Sequence, residues 1–283
     1  MKIAIASCAK IQDRPIQPAW KEIEDKKPDL LLLLGDNVYG GTFTFSWKKY
    51  HKKLEDRYKK QISEENFKSL ISKVPYKAIW DDHDFAKGDN GKGALIKDKY
   101  KNRSRDLFHK YMNCSTNLPE TYYSFEKDNV KFIMLDVRYY REEPDVDASM
   151  LGKKQEEWLE RELKHDKKFT IICSGTTLNS SLFGERWKNY YNYYNRFIEL
   201  TKSVNNLLFL SGDIHKNKFK NHNHFYEIIS SGVARNRKDN YAIIELGDDS
   251  VNIDLIGNKK DKHISIDTNT WKIKRKSEEK KII

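Results

Sequence analysis

Apolar positions along the chain fall into short runs separated by stretches with helical spacing. Lys2 to Ala6 alternates apolar residues and predicts a first strand that ends at Ser7 and Cys8. Pro18 to Lys26 predicts a helix with Trp20 and Ile23 inward, closed by Lys27 and Pro28. Leu30 to Leu34 is leucine throughout, with none of the polar alternation of a half-exposed strand. Such a run fits a central strand covered on both faces. The chain therefore opens β-α-β, a crossover that is right-handed in nearly all sheets. The four-residue spacing of Tyr50, Leu54, Tyr58 and Ile62 predicts helix over Phe43 to Lys73. Tyr76 to Trp80 predicts a third strand. Phe85 to Gly93 holds glycines and no periodicity, hence a loop, and Lys97 to Tyr111 predicts a helix beyond it.

The second half repeats the scheme. Tyr122 to Phe125 and Val130 to Leu135 predict a hairpin across Lys127, Asp128 and Asn129. Met150 to Leu163 predicts an amphipathic helix, Thr170 to Ser174 a strand, and Arg186 to Val204 a tyrosine-rich helical stretch. Leu207 to Leu210 is again a continuous apolar run. From Phe225 to Ile256 short strands follow without helices, at Tyr226 to Ser230, Tyr241 to Leu246 and Val251 to Ile256. Alternating strands and helices predict an α/β fold. One domain over residues 1–258 is expected. The lysine-rich segment 259–283 would add an edge strand over Ile264 to Ile273 and then fray.

Composition narrows the setting. A chain of 283 residues has ample length for a buried core. No apolar run reaches the roughly 18 residues a membrane span needs. The apolar stretch after Met1 is too short for a signal peptide, so with Met1 as the native start a cytoplasmic protein is expected. Three cysteines (Cys8, Cys114, Cys173) match no metal-finger or disulfide spacing. The net charge of +11 and a pI near 9.2 attract anions: phosphate-bearing substrates, nucleic acid or an acidic membrane surface.

The chemistry lies at the strand ends. Predicted strands run directly into Cys8, Asp36, Asp82-His83, Asp136 and Asp213-Ile214-His215. A single acid there is ordinarily a helix cap. Five such ends, carrying sulfur, nitrogen and oxygen donors, point to a shared metal site. A carboxylate such as Asp36 is able to bridge two cations. Such a pair would clamp the oxygens of a phosphate ester and provide hydroxide near neutral pH.

These residues carry a resemblance. Ser7-Cys8, Gly35-Asp36-Asn37-Val38-Tyr39, Trp80-Asp81-Asp82-His83-Asp84, Leu135-Asp136-Val137-Arg138 and Ser211-Gly212-Asp213-Ile214-His215 stand in the order and at the intervals seen in PhoD-like metallophosphatases. Met150-Leu151-Gly152 with Gln155 and Trp158, Glu185 with Trp187, and the run from Tyr226 to Gly232 agree as well. The chain resembles that family over about Met1 to Ile256. The resemblance implies a four-layer α/β/β/α sandwich and a phosphoric ester hydrolase acting on mono- or diesters. It implies Fe(III) on Cys8, Asp36, Tyr39 and His215. Asp36 would bridge to Ca(II), with Asp82 and Asp213 as further ligands; another divalent pair is an alternative. Thiolate and phenolate suit ferric iron, and carboxylates suit calcium. His83 would be the general acid or a donor to a phosphate oxygen, or instead a support for Asp82. Arg138 would clamp the phosphoryl group, or pair with a neighbouring acid. Asp81 and Asp136 would hold other groups in place without binding metal.

Two departures from the family pattern bear on this. The family's asparagine after the Asp-Asp-His-Asp motif is replaced by Gly88, leaving Asp89 or Asn90 as substitute ligands. The glutamate usually found before Arg196 is Asn195, and either change would alter the second metal site. The competing reading is a catalytically impaired protein of the same fold that binds nucleic acid or another polyanion. Lysines in the glycine-rich loop, Lys87 and Lys92, would favour a polyanionic substrate or ligand.

Overall fold

The five leucines form strand β2 (Leu30–Leu34), and their alternating side chains enter two different cores. Leu31 and Leu33 pack under helices, whereas Leu30, Leu32 and Leu34 face a second sheet. The uninterrupted apolar run is the signature of a strand lying between a helical layer and another sheet. The computed structural model describes residues 1–41, 46–86, 92–112, 120–180, 185–235, 238–257 and 261–274.

The first sheet is mixed. Strands β1 (Lys2–Ala6), β2 and β3 (Tyr76–Ile79) run parallel in that order. Four antiparallel strands extend it from the free side of β1: β10 (Tyr241–Leu246), β11 (Ser250–Ile256), β12 (Lys262–Asp267) and β13 (Lys272–Ile273). The second sheet has a parallel centre of β5 (Val130–Met134), β6 (Phe169–Ser174), β7 (Leu207–Ser211) and β9 (Tyr226–Ile229). Antiparallel β4 (Tyr123–Lys127) and β8 (Lys218–Asn221) form its edges.

Helices cover the outer faces. On the first sheet, α1 (Ala19–Asp25), α2 (Trp47–Ser63), α3 (Glu65–Lys73) and α5 (Asp98–Met112) bring Trp20, Leu54, Phe67 and Phe108 against Ala4, Leu33 and Ala78. On the second, α6 (Lys153–Glu162) and α7 (Tyr191–Thr201) bring Leu159 and Phe197 against Ile172 and Phe209. Between the sheets Ile5, Leu32, Phe132, Ile171 and Leu210 share one apolar layer. The architecture is the α/β/β/α sandwich, two mixed sheets flanked by helices.

Several expectations change in detail. The helix foreseen over 43–73 breaks at Glu64, whose backbone is extended and whose carboxylate accepts the Phe67 N–H at 2.7 Å, capping α3. The stretch 186–204 divides into a 3-10 turn at Trp187–Asn189 and α7. The edge strand β8 is polar and was not foreseen. Strand β12 pairs along β11 and sends Ile264 and Ile266 into the layer between the sheets. The tail beyond Lys274 lies outside the described residues, as does Cys114. Among the described residues no helix is long and apolar enough to cross a membrane.

Candidate metal centre

The carboxyl ends of the parallel strands of both sheets meet on one edge of the sandwich, where such folds place ligands. Backbone hydrogen bonds stitch them together. Cys8 N–H donates to Gly35 O (3.2 Å), Gly212 N–H to Gly175 O (3.1 Å) and Gly232 N–H to Ser7 O (3.1 Å). Two glycines make this approach possible. A Cβ on Gly35, which has φ +86°, would fall 2.5 Å from the Asp81 Cβ; one on Gly212 would fall 2.6 Å from Ser7 Oγ and 2.7 Å from Leu34 O. Each Gly-Asp step therefore turns its acid sharply out of the strand.

Four candidate ligands hold the left-handed backbone that side-chain-bearing residues rarely adopt: Cys8 (φ 62°), Asp36 (51°), Asp213 (72°) and His215 (52°). Strain of about 1–2 kcal/mol at each is typical of such positions, which cluster at functional sites. The turns aim the four side chains back across the strand ends.

Asp36 is the hub. Its Oδ2 accepts the Tyr39 hydroxyl at 2.9 Å and lies 3.5 Å from Cys8 Sγ, while its Oδ1 accepts the His83 N–H at 3.3 Å. Tyr39 Oη also lies 3.3 Å from His215 Nε2. Donor atoms of Cys8, Asp36 and His215 all fall within 4.8 Å of one another, and so do those of Asp36, Asp82 and His83. Asp36 belongs to both groups. The structure thus brings together Cys8, Asp36, Tyr39, Asp82, His83 and His215. Asp213 belongs to neither group; burial, and then the charges of Asp81 and Asp82, push its carboxyl well up.

Charge in this pocket is heavily unbalanced. Burial and the Asp82 charge raise the Asp36 carboxyl well above the usual range. Burial opposes ionisation of Asp82 too, but His83 and Arg138 outweigh it and hold that carboxyl below its ordinary value. Burial, followed by Arg235, His83 and Lys238, lowers His215 to about 3, so its imidazole is neutral with a lone pair to offer. Burial raises the Cys8 thiol and the Tyr39 phenol. Buried acids this close together are stable when cations lie between them. The donor chemistry fits a pair: thiol, phenol and imidazole on one side, carboxylates on the other, Asp36 between. The second oxygen of Asp81, buried and without a donor among the described residues, adds negative charge that a cation would satisfy.

Surrounding side chains fix the ligands. Asp84 is fully buried and accepts five hydrogen bonds: from Asn37 N–H (3.1 Å), Asn37 Nδ2 (3.2 Å), Asp81 N–H (3.2 Å), Val38 N–H (3.2 Å) and the Tyr58 hydroxyl (2.8 Å). It locks the Gly35–Tyr39 turn to α4 (Asp82–Phe85). Ser231 serves the other side: its Oγ accepts the His215 N–H at 2.8 Å and lies 3.2 Å from Cys8 Sγ. Asp136 accepts the Trp80 indole (2.8 Å), the Thr121 hydroxyl and the backbone N–H of Arg138 (2.9 Å). Gln155 clasps Asp136 from both sides, donating to its carbonyl at 2.8 Å and accepting its N–H at 2.9 Å.

Arg138, for which a phosphoryl clamp and a pairing with a neighbouring acid are the two expectations, pairs with acids here. The side chain has 0% exposure. Its Nε donates to Asp81 Oδ1 (2.6 Å), Nη1 to both Glu185 oxygens (3.2 and 3.0 Å) and Nη2 to Thr176 Oγ1 (3.0 Å). Every guanidinium nitrogen is engaged within the protein. Arg138 orients Asp81 and lies 3.8 Å from Asp82. Asn195 and Arg196 lie on the exposed face of α7, where Arg196 pairs with Glu156 and Glu160, so that departure does not reach the site. Lys92 pairs with Glu143. Lys87, Gly88, Asp89 and Asn90 lie outside the described residues.

Residues with a part in the site that motif reading passed over are Ser231, Thr176 and Arg235. Arg235 sits with its guanidinium carbon 4.6 Å from the Tyr39 ring centroid. Ser231 lay within the Tyr226–Gly232 run that matched the family; Thr176 and Arg235 follow strands β6 and β9 at no motif position.

Comparison with known proteins bears on the lineage and the fold. Residues 3–282 match the PhoD-like phosphatase family. Alkaline phosphatase D of Bacillus subtilis (strain 168) is 25% identical over 285 aligned positions, covering 82% of this chain and 49% of that protein. The chain thus spans about half the length of the curated relative it matches. Among solved structures, that of PhoD superposes with a TM-score of 0.77 at 17% identity, covering 98% of this chain and 71% of the other. GAP50, the anchor in the inner membrane complex of Plasmodium, gives 0.60 at 17% identity, with 98% and 90% covered. The purple acid phosphatase PPD1 of yellow lupin gives 0.57 at 13% identity, with 97% and 52% covered. The structural likenesses establish the fold, and the family match over almost the whole length establishes the lineage. This chain belongs to the PhoD-like phosphatase family.

Proposed function

We propose that the protein is a metal-dependent phosphoesterase, a phosphoric ester hydrolase whose centre is built on Asp36. The observation that carries this reading is the membership of Asp36 in two donor groups at once, one with Cys8 and His215 and one with Asp82 and His83. Fe(III) is assigned to Cys8, Asp36, Tyr39 and His215, and Ca(II) to Asp36, Asp82 and Asp213, with another divalent pair as the alternative. When bound, the two cations would neutralise charge on the phosphoryl oxygens and acidify the attacking water.

The protein's own residues then have distinct tasks. His83, partly exposed beside the Tyr39 ring at a centroid distance of 4.0 Å, is placed to hand a proton to the leaving oxygen. Arg138 keeps Asp81 and Asp82 oriented from beneath. Asp84 and Ser231 hold the two ligand turns in register. The net charge of +11 supports an anionic ester, with a diester or polyanion preferred.

Hydrolysis of p-nitrophenyl phosphate and of bis(p-nitrophenyl) phosphate tests the reading. Activity should disappear on chelation and return when metals are restored, with the diester the better substrate. Protein that takes up two metals per chain and releases no p-nitrophenol from either ester would overturn it. A separate measurement tests the iron assignment. Tyrosinate on ferric iron should colour the aerobically purified protein, and Tyr39→Phe should bleach that band while calcium content is kept. Wild-type protein with stoichiometric iron and no visible band rules out Tyr39 as a ligand.

The fold alone does not require catalysis, since one structural neighbour is described as an anchor. The positive charge favours a second reading, a polyanion-binding protein without turnover. It predicts binding that falls steeply with salt and is unaffected by the state of Asp36. The density of buried metal-type donors around Asp36 favours the enzyme.

A further inference from the structure

Among the guanidinium groups near the centre, Arg138 and Arg235 differ in what remains for them to bind. Arg138 is spent on Asp81, Glu185 and Thr176. Arg235 is not. It follows Ala234, whose carbonyl accepts the Lys10 N–H at 3.0 Å in the bridge that ties the segment after β9 to the segment after β1. From there its side chain lies over the Tyr39 ring, 4.6 Å from the centroid, beside the hydroxyl that touches Asp36 and His215. The residue is partly exposed and interacts with the Tyr39 hydroxyl, yet among the described residues its buried Nε and Nη1 have no hydrogen-bond partner.

Unpaired guanidinium donors shielded from water are unfavourable, and arginine cannot relieve them by losing its proton. They are satisfied when an anionic acceptor arrives. Neighbouring cations already have acceptors: Lys10 has Asp13 (2.6 Å), Arg14 has Asp239 (2.9 Å), and Lys238 donates to the His215 carbonyl (3.0 Å). Stacking on Tyr39 orients the Arg235 guanidinium before any ligand binds, so little freedom is lost on contact.

We propose that Arg235 is the residue that grips an anionic oxygen of the substrate's phosphoryl group, from the Tyr39 side of the centre. This rests on the phosphoesterase reading for the nature of the substrate, and it gives Arg235 the clamping task that is one of the two expectations for Arg138. A planar guanidinium suits an oxyanion better than a point-like ammonium does.

The test compares metal-loaded wild type, Arg235→Ala and Arg235→Lys. Binding of inorganic phosphate is followed by titration calorimetry, turnover by KM and kcat for p-nitrophenyl phosphate, and metal content by elemental analysis. Arg235→Ala should weaken phosphate binding and raise KM by roughly 10- to 100-fold, with kcat changed less and metal content unchanged. Arg235→Lys, which keeps the charge and loses the fork, should fall between the two. Should the alanine variant fail to fold, the lysine variant decides: a KM and phosphate affinity equal to wild type overturn the proposal. Loss of metal in step with loss of phosphate binding also overturns it, since Arg235 would then be a support for Tyr39. So does a wild type that binds no phosphate at millimolar concentration. Phosphate binding that depends on Arg235 without any hydrolysis leaves the assignment standing and removes the phosphoesterase reading. Hydrolysis indifferent to Arg235 does the reverse.

Discussion

Asp36→Ala is expected to abolish p-nitrophenol release, a loss of at least about a thousandfold, and to empty both metal positions together. The size follows from the several kcal/mol that a clamped cation pair contributes to phosphoryl transfer, at about 1.4 kcal/mol per tenfold. The joint loss follows from geometry, because Asp36 is, among the described residues, common to the Cys8–His215 and the Asp82–His83 donor groups. Stability in chelator separates this from simple unfolding. The variant loses an acceptor for Tyr39 and for the His83 N–H, but it also relieves crowding against Asp82. Metal-free variant and wild type should therefore melt within a few degrees of each other, and added metal should raise the Tm of the wild type alone. An Asp36→Ala protein with full metal content, or with a tenth of the wild-type rate, would remove Asp36 from the centre of the reading.

Much of this was legible in the chain because strand-end chemistry is local. Leu30–Leu34 announces a doubly covered strand, and the residue after its terminal glycine is fixed in space by the strand itself. The same holds for Cys8 after β1, Asp82 after β3 and Asp213 after β7. What resisted reading was anything set by contact between distant segments. Ser231 meets Cys8 across 223 residues and Glu185 meets Arg138 across 47, separations at which no spacing rule operates. Asp84 is part of a visible motif, but its five donors come from three different elements, so its role as the lock between two turns emerges only on folding. The helix break at Glu64 was missed because the apolar repeat of α2 continues in α3, and a cap provided by glutamate is an uncommon signal. Arg138 illustrates the limit best: an arginine after a strand-end acid looks the same in sequence whether it faces a substrate or two buried carboxylates.

That distinction has a measurable consequence for stability. Arg138→Met should destabilise the protein by about 3–5 kcal/mol, the range for breaking a buried ion pair by removing one partner. Asp81 has 1% side-chain exposure and would lose its main counter-charge, while Glu185 would keep Arg141 at 2.9 Å. The penalty should therefore fall mainly on Asp81. Arg138 and Asp81 replaced together, as Arg138→Met with Asp81→Asn, should recover at least about 1 kcal/mol relative to the sum of the single changes, the sign of direct coupling. For a chain of this length the single change corresponds to a Tm lowered by roughly 5–15 °C. A substrate clamp would behave otherwise: Arg138→Met would leave the Tm in place, raise the phosphate inhibition constant, and show no coupling to Asp81. The engaged nitrogens of Arg138 and those of Arg235 left without a partner among the described residues lead to opposite outcomes for the two arginines. Loss of Arg138 should be read in the melting curve, and loss of Arg235 in the affinity for phosphate.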